Sequence, residues 1–347
     1  MKISVVTATI RDSAAIDIYL SGKQNSSPYQ HLQWLIAIKE AYGHDYYYLL
    51  AKSDTQIVGV LPLCLFKNLR GKLHICSLPF CDVGGAVSES EEIKSALIEY
   101  ALKHLGHQYS AFLEIRQLST GTKPIVDLTG RKVSMMLKLP DDADTLFKSF
   151  KSKLRSQIRK SEKNGLTFDY SDGAIGIEEF YKVFSRNMHK LGSPTHSKRW
   201  FHALREFYQD ELLVGRVCYG DKTVGAGILL FSGQNVSVPW ASTLKGYNKL
   251  APNMMLYWNL LRLSCERGCK LFDFGRSTYA GGTYKFKHQW GAEPVLLDWQ
   301  YLDKNGKPVS FSSPGRYTRH LIEFVWKNMP LLLANIIGPR LRKHISL

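Results

Sequence analysis

The chain has 347 residues, which is too long for one ordinary hydrophobic core and predicts two domains. Its apolar content of 44% is typical of a globular protein, and no uninterrupted apolar stretch approaches the roughly 20 residues that a membrane-spanning helix needs. Lysine and arginine exceed the acidic residues by 16, so the surface is expected to attract anions such as nucleotides, RNA or anionic lipids.

The beginning of the chain and the cysteines indicate the compartment. The apolar run within MKISVVTATIRDS is too short and too interrupted for a signal peptide. The six cysteines form neither a CxxC pair nor a zinc pattern, which predicts free thiols in a reducing environment. We therefore expect a cytoplasmic protein.

An internal repeat is the most informative feature of the sequence. A shift of 166 residues places Ser27-Pro28 on Ser193-Pro194 and Trp34 on Trp200. Each copy predicts a helix and then a β-hairpin. The helices are predicted over 30–42 and 198–207, and the hairpins over 47–65 and 212–231.

The second half of each copy also follows one order. A capping box at Ser88 and Glu91 introduces the next helix of the first copy, and Pro252 introduces that of the second. An apolar strand that ends in arginine then follows in each copy, at 112–116 and 271–276. The sequence thus predicts two α+β domains of one topology, over 1–135 and 136–303, and a basic, apolar tail over 304–347.

A basic segment opens the second domain. Residues 144–163 predict one amphipathic helix whose apolar stripe includes Phe147, Phe150 and Leu154. Arg155 and Arg159 run beside that stripe. Two interpretations stay open. The segment is either a surface helix kept soluble by its cations or a binding surface for phosphates or an RNA backbone.

The stretch 271–291 contains the densest set of candidate binding residues. A buried strand predicted over 271–274 ends at Gly275, which permits a tight turn, and Arg276 follows at the rim where ligands bind in open sheets. Tyr284, Phe286 and Lys287 come next, and cations interleaved with aromatic rings suit an anionic, partly planar ligand. The alternative is a β-turn followed by a half-exposed strand with solvated lysines.

Other regions supply fewer signals. The tail is apolar, is broken by Pro330 and ends in basic residues, so it suits either an anionic membrane surface or packing on the domain body. No nucleophilic triad, metal-ligand spacing or DNA-binding motif is present, so we expect no metal and no DNA partner.

The repeat and the runs RSQIRKSEKNGL, GSP, FDFGRS and YKFKHQWG resemble the Fem family of aminoacyl and acyl transferases. This resemblance implies two tandem copies of the GNAT acetyltransferase fold, with mixed sheets flanked by helices. It places Phe286-Lys287 on the family's Phe-Lys pair, so Lys287 is expected to polarise the donor carbonyl or to bind phosphate. The carboxylate that some members carry has no clear equivalent in this sequence; the nearby acids are Asp82, which we take as the catalytic candidate, and Glu89, and the choice between them stays open. The residues expected to bind substrate are Arg276, Tyr284, Trp240, Tyr247, Lys245, Arg155 and Arg159.

The implied reaction moves an acyl or aminoacyl group to an amino group of an anionic cell-envelope precursor, in peptidoglycan or exopolysaccharide synthesis. The donor is expected to be aminoacyl-tRNA, or an acyl-CoA or acyl-carrier thioester, and no cofactor is expected to be tightly bound. The partners are then the precursor, tRNA for the first donor, and an anionic membrane surface for a peripheral protein on the inner face of the membrane. Two alternatives stay open, a non-catalytic relative that holds a lipid-linked sugar or RNA, and an acyl-CoA enzyme that makes a small metabolite.

Overall fold

The structure, a computed structural model, describes residues 3–119, 128–171, 173–310 and 316–346. The chain divides into two compact units. Unit 1 consists of Met1–Val126, Leu296–Ser313 and Lys343–Leu347, and unit 2 consists of Asp127–Val295 and Pro314–Arg342. This division differs from the predicted boundaries, because the predicted tail is shared between the two units.

Strands and helices are numbered in chain order. The strands are β1 (Ile3–Thr7), β2 (Tyr46–Ser53), β3 (Gln56–Lys67), β4 (Leu73–Cys76), β5 (Val87–Ser88), β6 (Leu113–Leu118), β7 (Lys132–Lys138), β8 (Leu166–Ser171), β9 (Leu212–Tyr219), β10 (Lys222–Ser232), β11 (Asn235–Thr243), β12 (Leu271–Thr278) and β13 (Glu293–Leu302). The helices are α1 (Ser13–Ser21), α2 (Leu32–Tyr42), α3 (Glu91–Ala101), α4 (His107–Tyr109), α5 (Ala143–Ser149), α6 (Ser152–Lys163), α7 (Ala174–Leu191), α8 (Lys198–Tyr208), α9 (Pro252–Glu266), α10 (Gly282–His288), α11 (Arg316–Asn328) and α12 (Leu331–Arg342).

Unit 1 is built on a mixed sheet in the order β1-β2-β3-β4-β6-β13, with β5 paired to β3. β4 and β6 run parallel, and their neighbours run antiparallel. Helix α3 lies between these two strands in the chain and packs Ile93, Leu97 and Ala101 into the core. The parallel pair follows from that helix, since parallel neighbours need a crossover connection.

Unit 2 repeats this arrangement in the order β7-β12-β11-β10-β9-β8. The predicted hairpin forms from β9 and β10, and α9 connects the parallel strands β11 and β12. Pro252 occupies the first turn of α9, as predicted. The two units thus share the order hairpin, third strand, helix and parallel strand, which confirms the tandem α+β fold.

The capping box predicted at Ser88 and Glu91 is wrong. Helix α3 begins at Glu91, and Ser90 is its N-cap, with a side chain that accepts a hydrogen bond from the Ile93 amide at 3.3 Å. Ser88 instead ends β5, and its hydroxyl donates to the Ser90 carbonyl at 2.9 Å. Only Ser88 is followed by an acid three residues later, but it ends β5, so the helix begins after Ser90 instead.

The single helix predicted over 144–163 is also wrong, since α5 and α6 are separated by an extended link at Phe150 and Lys151. The break lets the Phe150 ring pack edge-on against Trp258 and Trp290, with centroid distances of 6.0 and 5.5 Å. Phe147 also contacts Trp258 at 5.0 Å. Burial of these rings gains more than the one or two helical hydrogen bonds that the break gives up.

Candidate functional site

The predicted strand at 271 forms β12, but it does not end at Gly275 as predicted: it continues through a bulge to Thr278. The pairing of β12 with β7 shifts register between Asp273 and Arg276, and Gly275 has a φ of +74°. The buried Asp273 carboxylate stabilises the bulge by accepting hydrogen bonds from the Gly275 amide and the Ser134 hydroxyl, both at 2.7 Å. A glycine is required here because other residues rarely adopt a positive φ.

Lys287 is directed at this bulge. It lies on α10, is only 8% exposed, and its ammonium donates to the carbonyl oxygens of Gly275 and Arg276 at 2.9 Å each. The neighbouring Phe286 contacts the Tyr257 ring at 5.0 Å. The structure therefore brings together Lys287 and the Arg276 backbone, and it makes Lys287 a link between α10 and β12. A direct action of Lys287 on a substrate stays a prediction.

The remaining predicted residues of unit 2 lie in several places. Trp240 packs in an aromatic cluster with Phe201 and His196, at 5.0 and 5.7 Å. Tyr247 lies under the Lys222 ammonium at 5.0 Å. Lys245 is exposed at the start of the 3-10 helix Lys245–Leu250.

Further candidate cations and rings are placed by local contacts. Tyr284 contacts Tyr279 at 4.9 Å and stacks on His288 at 5.5 Å. Arg155 donates to the Lys148 carbonyl at 3.1 Å, and Arg159 lies 5.3 Å over the Phe147 ring. Both arginines therefore support the junction between α5 and α6, and their role in a binding surface for phosphates stays a prediction.

A cavity of about 360 Å³ opens at the first turn of α9 in unit 2. Ala251 precedes that helix with a φ of +63° and provides no side-chain cap. The lysines that line the cavity, Lys160 and Lys249, add positive charge to the positive end of the helix dipole. Such a combination suits a phosphate or another anion. Its remaining lining residues are Gln157, Asn248, Pro252, Asn253 and Met254.

These two lysines were missed from the sequence. The basic run of 144–163 and the first-turn proline at Pro252 were both recognised, but only the fold brings Lys160 beside the start of α9. Asn164, four residues after Lys160, fixes the approach, because its side-chain amide donates to the Leu250 carbonyl at 3.2 Å.

A second cavity, of about 310 Å³, lies in unit 1 beside the start of α3. Glu89 lines it and forms an ion pair with Lys23 at 3.1 Å. Gln30 contributes a buried amide that donates to the Gly85 carbonyl at 2.6 Å. Among the residues that the structure describes, Glu89 lines this cavity and Asp82 does not. Asp82 is half-buried, and its backbone carbonyl accepts from the Trp299 indole at 3.0 Å.

The arginine that ends the first repeat, Arg116, is fully buried in unit 1. Its Nε donates to Glu114 at 2.8 Å, and His74 lies 3.4 Å from the other carboxylate oxygen. One terminal nitrogen donates to the carbonyl of Ser346, at 3.1 Å, and so holds the last residues of the chain.

The side chains of His74, Cys76 and Glu114 place ligand-type atoms within 4.8 Å of one another. The negative charge of the Glu114 carboxylate is, however, already balanced by the Arg116 guanidinium. We therefore assign the cluster as a buried ion pair.

The stability of unit 1 is expected to depend on pH through Glu114. Burial alone would raise the pKa of Glu114, but Arg116 and the hydrogen bonds from His74 and Arg116 lower it from 4.5 to about 2. A depressed pKa stabilises the fold above the unfolded value, and this contribution is lost as the pH falls from about 4.5 to about 2. The difference in unfolding free energy between the wild type and Glu114→Gln, measured in urea from pH 6 to pH 3, should shrink as the pH falls. A difference that stays constant would assign the acid sensitivity to other groups.

Comparisons with known proteins agree with this architecture. Residues 148–288 match the family model of the acetyltransferase (GNAT) domain, whereas a search of curated proteins finds no match. The solved structure of FemX has a TM-score of 0.67 and 14% identity, and the match covers 84% of this chain and 95% of that chain.

Two further solved structures share the fold. A C-terminal domain (DUF2156) ascribed to a lysylphosphatidylglycerol synthetase of Agrobacterium fabrum has a TM-score of 0.55 and 12% identity, over 83% of this chain and 90% of that chain. L-PGS from Bacillus licheniformis has a TM-score of 0.50 and 11% identity, over 86% and 98%. At such identities the likeness is one of fold. The tandem GNAT-like fold and its resemblance to a Fem protein are confirmed, and together with the domain match they support an acyltransferase.

Proposed function

We propose that the protein transfers an acyl or aminoacyl group from an activated, phosphate-bearing donor to an amino group of a cell-envelope precursor. The observation that carries this proposal is the cavity at the start of α9, where Lys160 and Lys249 line the positive end of a 15-residue helix. It lies within the part of the chain that matches the GNAT domain. Both observations favour unit 2 as the donor-binding unit.

The chemistry requires a neutral amine to attack the donor carbonyl carbon. A C–N bond forms, the resulting oxyanion collapses, and the C–O bond of an ester or the C–S bond of a thioester breaks. The proton of the amine passes to the leaving group or to a carboxylate. Asp82 and Glu89 stay the candidates for that carboxylate, and Glu89 lines a polar cavity of unit 1.

The envelope acceptor rests on the resemblance to the Fem family. One structural neighbour is ascribed to a synthetase of lysylphosphatidylglycerol, which is a lipid that carries an amino acid. Transfer of an aminoacyl group is thus consistent with the resemblance to the Fem family and with the similarity to this structural neighbour. The choice between aminoacyl-tRNA and an acyl thioester is left to experiment, because both donors carry phosphate.

Replacing both cavity lysines, as Lys160→Gln/Lys249→Gln, should weaken donor binding by about 100-fold or more, since each lost charge-assisted hydrogen bond costs about 1.5 kcal/mol or more. Binding of aminoacyl-tRNA, acetyl-CoA and an acyl-carrier thioester would be measured by calorimetry at two salt concentrations. The donor whose affinity falls in the variant is the one that uses the cavity.

The matched control is Lys151→Gln/Lys153→Gln, which removes two exposed charges from the same region. It lowers the net charge equally, so it reports non-specific attraction of an anion. Equal losses of affinity in both double variants would contradict the assignment of the cavity to the donor.

A non-catalytic binding protein is the second candidate. The observation in its favour is that two N–H groups of the Lys287 ammonium are used by backbone carbonyls. If a donor binds with the predicted dependence on Lys160 and Lys249 but no transfer to any amine is detected, this second function is the better one.

A further inference from the structure

The two C-terminal helices expose an unusual set of large apolar side chains. Within 15 consecutive residues, six such side chains are between 46% and 73% exposed: Ile322, Phe324, Val325, Leu332, Leu333 and Ile336. Elsewhere in the described residues, exposed large hydrophobic side chains are scattered between Val6 and Tyr219. Exposed large apolar side chains concentrated in one short segment of a globular protein usually mark an interaction site. We call these six residues the apolar face.

The opposite side of the same helices is already packed on unit 2. Trp326 and Ala334 are 5% and 2% exposed, and the His189 imidazole lies 2.7 Å from the Met329 carbonyl between the helices. A Cβ at Gly338 would lie 3.1 Å from the Thr195 backbone nitrogen, so α12 lies close against the body. The helices therefore have a filled inner side, and the apolar face is not needed to hold them.

A buried histidine fixes the end of α12. The Arg342 guanidinium donates from Nε to the His196 ring nitrogen at 3.1 Å. Burial, together with the Arg342 charge, lowers the pKa of His196 well below its usual value, so the ring stays neutral and can accept this bond. The direction of the helix, and with it the apolar face, is thus set by unit 2.

Positive charge accompanies the apolar face. Leu332, Ile336 and Arg340 follow one another at four-residue intervals, which places them on one side of α12. Between 322 and 342 the exposed basic residues are Lys327 and Arg340, against the single acid Glu323, since Arg342 is directed at His196. Apolar side chains flanked by cations are what binds a helix to the surface of an anionic bilayer.

We propose that the apolar face docks on an anionic lipid bilayer, with α11 and α12 lying in the plane of the interface. Insertion across the bilayer is not part of this proposal, since none of the helices in the described residues is long and apolar enough to span it. A second copy of the chain fits less well, because a two-fold contact through the same surface would bring Lys327 and Arg340 of both copies together.

Vesicle co-sedimentation tests this assignment without any measurement of turnover. The wild type should bind vesicles of phosphatidylglycerol and phosphatidylcholine and bind pure phosphatidylcholine vesicles at least about tenfold more weakly. The uncharged variant Leu332→Gln/Ile336→Gln should lose at least about tenfold in affinity for the anionic vesicles, because it removes apolar surface and leaves the net charge of the protein unchanged. The control Ile18→Gln/Ile175→Gln alters side chains that are 75% and 72% exposed elsewhere, and it should bind like the wild type.

Three results would overturn the proposal. The first is an absence of binding to anionic vesicles. The second is equal binding by the wild type and Leu332→Gln/Ile336→Gln, which would assign the attraction to net charge alone. The third is a lipid-free dimer, seen by light scattering, that the same variant converts to a monomer, since the apolar face would then belong to a second copy.

Discussion

Replacing Arg116 with methionine is expected to lower the free energy of unfolding of unit 1 by about 3–5 kcal/mol. Arg116 is fully buried, and its loss leaves the Glu114 carboxylate without its main counter-charge. The carbonyls of Leu78 and Cys81, each 3.0 Å from the guanidinium, would lose a donor as well. Amide hydrogen exchange within β6 would measure the change, because exchange from a stable strand reports the free energy of opening. We expect exchange to accelerate by roughly 10²- to 10⁴-fold, since each 1.4 kcal/mol is a factor of ten.

A double variant separates the ion pair from the loss of packing. Glu114→Gln/Arg116→Met removes both charges, so it should be less destabilised than Arg116→Met alone. The Ser346 carbonyl loses its Arg116 donor in both variants, so exchange near the chain end should rise in both. If the single and double variants were equally unstable, an unpaired buried charge would not be the cause.

Local patterns predicted most of the secondary structure. The hairpins at 47–65 and 212–231 form because apolar strands flank turns at Asp54 and Asp221, and a turn and its strands are adjacent in sequence. The helix that begins at Pro252 has the same kind of signal. Such elements depend on neighbours within a few residues, so they can be predicted from the local sequence alone.

The pairing of distant strands could not be predicted in this way. β7 follows the first repeat in the chain but pairs with β12, and β13 follows the second repeat but pairs with β6. Each of these strands therefore completes the sheet of the other repeat. No turn or spacing in the sequence indicates this pairing, because it depends on which edge strand of a sheet is unpaired when the strand docks. The domain boundaries predicted at 135 and 303 consequently differ from the units in the structure.

The candidate site was predicted in residue type more than in geometry. The cationic and aromatic residues of 271–291 were recognised, but the sequence could not show that Lys287 would point at the bulge of β12. Lys160 and Lys249 lie 89 residues apart in the chain, and they line one cavity because α6 and α9 pack together. Convergence of charges across helices is a tertiary property, which a single sequence does not display.

Lys287→Met is therefore expected to destabilise the bulge of β12 by about 2–4 kcal/mol, in addition to any effect on turnover. The variant leaves the carbonyls of Gly275 and Arg276 without the ammonium that now donates to both at 2.9 Å. Hydrogen exchange over α10 and β12 would measure the change, with Lys285→Met as its control, since Lys285 is an exposed residue of the same helix.

If Lys287 acts only by stabilising an oxyanion, a different pattern is expected, in which turnover falls by about 10²- to 10³-fold while exchange in α10 and β12 is unchanged. A loss of both would mean that the ammonium positions the bulge on which the site depends, and the effect on turnover could then be assigned to Lys287 only after correction for the fraction of folded protein.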